Sequence, residues 1–267
     1  MQQGVKGSLW LAGALRPRKR AGCAYLIYHS VNGQLPIELD LAPSLVERHL
    51  RYLAQTGRVI SYVAALACFQ HGLPCAADNY VLTFDDGYCD FYTQVYPLLQ
   101  RWGLPATLFV TTGFVEERVA YPMLSYPTLA VEPVTWEMLG EMAESGLVTL
   151  GAHTHTHPVL TEASPTQIEE ELAKPIELFQ QRLGIKPQHF CYPRAIWNPT
   201  VEKMVARYYE SAVIGGGTRA MVEHFHPYRI PRLPIRRSDG WHYFQAKVEG
   251  QMANEEAFYA RFAIHRK

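Results

Sequence analysis

Short apolar runs that alternate with helix-patterned stretches organise this 267-residue chain. The runs fall at 24–28, 80–84, 106–111, 148–152, 189–192, 212–214 and 230–235. They read as strands. Helix-like patterns lie at 44–56, 61–71, 88–102, 136–145, 165–183 and 199–209. Such alternation argues for a parallel sheet with crossover helices. The stretch from Pro165 has a full set of start and stop signals. Ser164 is the cap, Pro165 takes the first position, Glu169, Glu170 and Glu171 follow, and Gly184 ends it. The stretch from Tyr88 ends at Gly103, with Pro105 beyond. No repeat, low-complexity tract or linker interrupts the chain, so a single domain is expected over 1–267, with 1–22 set apart as a peripheral segment. Residues 116–133 are rich in Pro and Tyr and read as a long excursion of the kind that often covers a cleft.

The run at 80–84 leads straight into Asp85-Asp86-Gly87. Two adjacent carboxylates repel unless a cation or a shared proton relieves them. The bland reading is a turn, which Asp-Asp-Gly suits after a strand. The run at 148–152 leads into His153-Thr154-His155-Thr156-His157-Pro158. One carboxylate and two imidazoles are a common way to hold a divalent metal with a position left open for water. The second carboxylate is then free to act as a base. His29 and the stretch from Cys191 to Arg194 also lie at strand ends. In a parallel barrel those ends share one face. Spacing does not choose among the histidines. Four residues apart suits a helical turn, Pro158 disfavours that conformation at His157, and His153 with His155 share a face if the strand runs on.

Charge narrows the function classes. Lys+Arg and Asp+Glu are each 25, and a net charge of zero argues against a nucleic-acid-binding surface. Hydrophobic residues at 48% suffice for a buried core, and 12% aromatics suit a core or a sugar-lined cleft equally. The five cysteines, Cys23, Cys68, Cys75, Cys89 and Cys191, fit no zinc ribbon or disulfide framework. Free thiols in a reducing compartment are the simplest reading. Near the N-terminus a short apolar run precedes Arg16-Pro17-Arg18-Lys19-Arg20, the reverse of a secretory signal. The expected location is cytoplasmic, with a membrane-peripheral placement as the alternative.

Several motifs in combination resemble the polysaccharide deacetylases, the NodB-homology group of carbohydrate esterase family four. They are Leu82-Thr83-Phe84-Asp85-Asp86-Gly87, Pro97-Leu98-Leu99, Pro105-Ala106-Thr107-Leu108-Phe109-Val110, and Gly151-Ala152-His153-Thr154 through His157-Pro158. The segment Tyr25-Leu26-Ile27-Tyr28-His29-Ser30-Val31 resembles the start of the circularly permuted branch, which includes the poly-N-acetylglucosamine deacetylases.

The resemblance implies an α/β fold, a distorted barrel of about seven parallel strands, and a divalent metal, usually zinc. It implies Asp85 as base and Asp86, His153 and His157 as metal ligands, with His155 a neighbour. In the permuted branch the general acid is a histidine on the first strand, which His29 matches. The third family motif reads here Phe190-Cys191-Tyr192-Pro193-Arg194-Ala195. Cys191 stands where the family has Arg or Ala, and Arg194 where it has an aromatic. The family's oxyanion donor is the backbone N–H at the Arg194 position. Arg232 is the candidate to orient Asp85. Trp197 and Tyr192 are the candidate sugar-contacting residues; Tyr88, Tyr121 and Trp136 are weighed and read as core. Cys191 reads as a small apolar filler, His224 and His226 as peripheral, and Gly215-Gly216-Gly217 as without a ligand.

The expected activity is therefore metal-dependent N-deacetylation of an N-acetylated sugar or glycan. Two rivals stand beside it. An amidohydrolase-type enzyme would use His153 and His155 as its His-x-His pair. A non-catalytic sugar-binding protein would explain the altered third motif.

Overall fold

The computed structural model describes residues 22–73, 79–117, 131–217 and 219–251. Seven strands form its centre: β1 (Ala24–Tyr28), β2 (Tyr80–Phe84), β3 (Ala106–Val110), β4 (Val148–Ala152), β5 (His189–Cys191), β6 (Ser211–Val213) and β7 (Arg232–Pro234). All pairings are parallel, in the order β6-β5-β4-β3-β2-β1-β7. The two edges meet at Ile230. Its N–H donates to the Ala212 carbonyl at 3.1 Å, and its own carbonyl accepts from Ile214 at 2.9 Å. The sheet thereby curls into a nearly closed barrel. The strand expected at 230–235 is split by Pro231, which has no N–H to give a ladder. Ile230 serves β6, and β7 beyond it serves β1.

Around the barrel lie α1 (Pro43–Thr56), α2 (Tyr62–Gln70), α3 (Tyr96–Trp102), α4 (Thr112–Glu117), α5 (Trp136–Glu144), α6 (Pro165–Leu183), α7 (Pro199–Tyr208) and α8 (Gly240–Val248). Ser164 and Gln167 cap each other's backbone at the start of α6, and Gly184 closes it at φ 69°. The single helix expected at 88–102 is broken. Phe91–Val95 forms a wide π turn, in which the Tyr96 amide reaches back to the Phe91 carbonyl. Pro97 follows at once, lacking the N–H that an ordinary α turn would use. Two helices are additions to the expected set. α4 is too short to show a period, and α8 opens on Gly240-Trp241-His242-Tyr243, all weak helix formers. Among the described residues no helix is long and apolar enough to cross a membrane. Residues 1–21 of the peripheral segment, Cys75, Tyr121 and positions 118–130 of the excursion lie outside the described residues.

Alternation along the strands sorts side chains into two layers. Leu26, Tyr28, Leu82, Phe84 and Leu108 face outward and pack with Leu50, Phe91, Leu99 and Phe244 from the helices. Tyr25, Val81, Phe109, Cys191 and Val213 fill the interior. Gly151 makes room there: a Cβ on it would lie 2.5 Å from the Phe109 ring. α2 stoppers the end where the strands begin. The Tyr62 hydroxyl meets Ser211 at 2.8 Å, and its ring leans on His189 at 4.6 Å. That leaves the other end, where the strands finish, for chemistry.

Candidate active site

The inward-facing set on β2 continues from Val81 and Thr83 to Asp85, just past the strand. Asp85 is only 4% exposed. Arg232, at the start of β7, sits level with Tyr25 and extends up the barrel interior. Its Nη1 and Nη2 each reach one oxygen of Asp85, both at 2.7 Å. Nη1 also donates to Thr83 Oγ1 at 3.0 Å, Nη2 to Cys191 Sγ at 2.9 Å, and Nε to the Ile214 carbonyl at 3.2 Å. All five guanidinium donors are thus engaged. Burial works to raise the Asp85 pKa, but the Arg232 charge and hydrogen bonds outweigh it, and the carboxyl lies below its ordinary value.

Alternation would turn Asp86 outward. A left-handed backbone, φ 80°, turns it back towards the site, and Asp tolerates that conformation better than most residues. Its Oδ1 lies 3.4 Å from His153 Nε2, and the Tyr88 phenol hydrogen-bonds its carboxylate. Burial opposes ionisation of Asp86, yet the His153 hydrogen bond and the charges of His29, His153 and His157 hold its pKa far below the carboxylate range. His153 follows β4, 2% exposed. Its Nδ1 lies 2.8 Å from the Cys191 carbonyl, which can only accept, so Nδ1 carries the proton. Nε2, which faces Asp86, is the nitrogen that a metal would bind in place of a proton. Burial works against a charge on His153, but Cys191, Asp86 and Asp85 raise its pKa well above the ordinary value. His157 packs edge-on against it, with ring centroids 4.7 Å apart, and burial pulls its pKa down to about 3.

Asp86, His153 and His157 offer one ligand atom each within 4.8 Å of one another. One oxygen and two imidazole nitrogens, buried together, suit a divalent metal, zinc among them. The hydrogen bond from His153 Nδ1 to a carbonyl is the usual outer contact of a ligating histidine. The donor set therefore fits such an ion. Asp85, His153 and Cys191 also converge within that distance. There, however, Arg232 already grips both Asp85 oxygens and faces the sulfur, so a cation would meet a guanidinium. His155 turns away from both groups. Its Nδ1 meets Thr112 Oγ1 at 3.0 Å and its Nε2 faces Glu117 at 3.4 Å.

His29 follows β1, with Nε2 3.9 Å from Asp85 Oδ2 and its side chain 15% exposed. Burial lowers its pKa, against the raising influence of Asp86 and Asp85. Arg194 and Ala195 both adopt left-handed backbone, φ 56° and 59°, in the tight turn after β5. The Arg194 side chain is exposed and close enough to lower the His157 pKa.

Tyr192 is a correction. It is 1% exposed, with its ring against Phe190 at 5.4 Å, because it takes the outward-facing position after Cys191. It has no ring face to offer a sugar. Trp197 is half-buried, with the Arg229 guanidinium 4.9 Å over its ring. Trp136 packs on Phe179 and donates to Glu116. Tyr88 proved to be a partner of Asp86, a role with no signal in the sequence beyond its nearness to the motif. Cys191 fills the interior as expected and makes polar contacts besides: it accepts from Arg232 and donates to Asp85 Oδ2 at 3.4 Å. Among the described residues no disulfide joins Cys23, Cys68, Cys89 and Cys191 to one another.

Residues 75–210, just over half of the chain, match the polysaccharide deacetylase family. The chain belongs to that family. Among curated relatives, it is 26% identical over 186 residues to the putative polysaccharide deacetylase YxkH of Bacillus subtilis (strain 168), covering 69% of this chain and 61% of that protein. It is 28% identical over 147 residues to the poly-beta-1,6-N-acetyl-D-glucosamine N-deacetylase of Escherichia coli (strain K12), covering 53% of this chain and 22% of that one. The chain thus spans less than two thirds of the length of either. The fold is similar to that of the Streptococcus pyogenes deacetylase PplD, solved in complex with acetate, at a TM-score of 0.73 and 23% identity over 86% of this chain and 99% of that one. It is also similar to IcaB from Ammonifex degensii, at 0.71 and 22% identity, covering 87% and 98%.

Proposed function

We propose that this deacetylase-family protein removes acetyl groups from N-acetylated amino sugars of a glycan or glycoconjugate, releasing acetate. The reading rests on one observation above the rest: the adjacent carboxylates are divided in environment. Both oxygens of Asp85 are taken by Arg232, while Asp86 faces His153 and His157.

Asp86, His153 and His157 would hold a divalent ion, with zinc the proposed metal. Such an ion supplies Lewis acidity that brings the pKa of water towards neutrality and polarises a carbonyl. Asp85, kept ionised by Arg232, accepts the proton of the water that attacks the acetamide. The left-handed turn at Arg194 presents its backbone N–H as donor to the oxygen that gains charge. His29, with Nε2 3.9 Å from Asp85 Oδ2, is placed to take up the proton that Asp85 accepts and to give it to the departing amine. Water and the amide become acetate and a free amino sugar.

An amidohydrolase-type site needs His155 as a ligand, and its contacts with Thr112 and Glu117 speak against that. The test is acetate release from N-acetylglucosamine oligomers and other N-acetylated sugars, with and without a chelator, alongside zinc stoichiometry in H155A and H157A. Chelator-sensitive release, with zinc lost in H157A and kept in H155A, is expected. Zinc lost in H155A alone points to the amidohydrolase. Bound zinc with no acetate from any N-acetylated sugar points to a non-catalytic binder.

A further inference from the structure

The loop that carries His157 away from β4 has an awkward backbone. Thr154 and His157 are both left-handed, at φ 63° and 60°, and neither is glycine. A β-branched residue in that region is a steric outlier, and it persists only where surrounding structure holds it. Part of the hold is internal. The Thr154 hydroxyl donates to the His153 carbonyl at 2.5 Å and accepts from the His157 amide at 3.0 Å. Part comes from α4. The Thr112 amide donates to the Thr154 carbonyl at 3.2 Å, and the Gly113 amide to the His155 carbonyl at 2.7 Å.

That leaves the amides of His155 and Thr156, midway between the two histidine ligands. Both donate to a single oxygen, Glu171 Oε2, at 2.8 Å each. The Thr156 hydroxyl takes the other oxygen at 2.5 Å. Consecutive amides converging on one anion form a concave nest, and charge-assisted bonds of this kind are stronger than neutral ones. Glu171 belongs to α6 and is not one of the three candidate ligands.

We infer that Glu171 is a positioning residue for the metal centre, a clasp from α6 that fixes the loop so that His157 meets Asp86 and His153. The inference rests on the metal reading proposed above. It gives the Glu171 carboxylate a task outside its own helix. Its neighbour Glu169 serves a different end, an exposed pair with Arg207 at 2.8 Å.

The test uses zinc alone as probe. E171A should bind zinc about 10- to 100-fold more weakly, the loss that follows removal of outer partners of metal ligands. E171Q should stay within about fivefold of wild type, since its amide oxygen still accepts. In the metal-free protein, the His155 and Thr156 amides should exchange with solvent faster in E171A than in wild type. E169A is the control: it loses a surface pair on the same helix and should leave zinc affinity and both amides unchanged. Unchanged zinc affinity in E171A overturns the inference, as does an equal loss in E169A. A wild-type protein that binds no zinc sinks the metal reading itself, and this inference with it.

Discussion

Arg232 holds Asp85 by both oxygens, 2.7 Å each, from the start of its strand rather than from the loops above the site. The fork threads the barrel interior past Phe109, 5.5 Å from its ring. Of the groups around so buried a carboxylate, Arg232 does most to keep it ionised.

Replacing Arg232 separates charge from geometry. R232K keeps a cation but loses the planar fork, and the two side chains are not interchangeable at a bidentate site. At least about a tenfold fall in kcat is expected, since a displaced base lies outside hydrogen-bond reach of its proton. R232A leaves a buried charge unpaired and should cost roughly 3–5 kcal/mol in urea unfolding. Zinc affinity should hold in R232K, because none of the three ligands is a hydrogen-bond partner of Arg232. Wild-type kcat in R232K would remove the orienting role.

His29 calls for a test that distinguishes an acid from a structural histidine. H29A should retain zinc and lose about 10²- to 10⁴-fold in kcat on an N-acetyl sugar. The loss should shrink on an acetyl ester, whose alcohol leaves more readily than an amine. An equal loss on both substrates would argue against proton donation to the leaving group.

The sequence made strand ends visible because buried strands are short apolar runs, and a parallel barrel collects their ends. That is why His29, Asp85 and His153 could be placed near one another before any coordinates. Asp86 was harder. Its side chain reaches the site only through a left-handed backbone, and a dihedral angle leaves little trace in residue type. Tyr192 went wrong for the related reason that one residue of shift along a strand reverses the face. Arg232 was selected as an arginine near the last strand; its climb through the barrel has no local signature. Glu171 read as part of an acidic stretch near a helix start, and only the packing of α6 against the loop gave it a task.

Cys191 completes the Arg232 shell as its fifth acceptor. C191A should leave one buried guanidinium N–H unpaired, at about 1–3 kcal/mol. C191S keeps an acceptor and should recover most of that stability. Both variants should bind zinc as wild type does, because the sulfur is 4.0 Å from His153 Nε2 and already engaged by Arg232. Urea unfolding and zinc titration of the two variants read these outcomes. Zinc lost in both would instead make the thiol a ligand, in the set with Asp85 and His153.

Two histidines that are not among the candidate ligands predict how stability depends on pH. His49 stacks on Phe244 at 3.6 Å, and burial lowers its pKa to about 3. His189 is held beside Ser211 and Tyr62, and burial lowers its pKa to about 4. Both stay neutral in the fold while the unfolded chain takes up protons below pH ~6.5. Their contribution is therefore intact above that pH and is lost as pH falls towards the folded values. Asp90 works the other way. Burial raises its pKa to about 6, so its contribution is full in acid and fades as pH rises through that value. Two histidines against one carboxyl leave a net loss of stability on acidification from these groups. H189N keeps a polar partner for Ser211 without a titrating imidazole. Between pH 7 and 4.5, wild type should lose roughly 2 kcal/mol more than H189N in urea unfolding. Parallel curves for the two proteins would mean that His189 takes up its proton in the folded state as readily as in the unfolded chain.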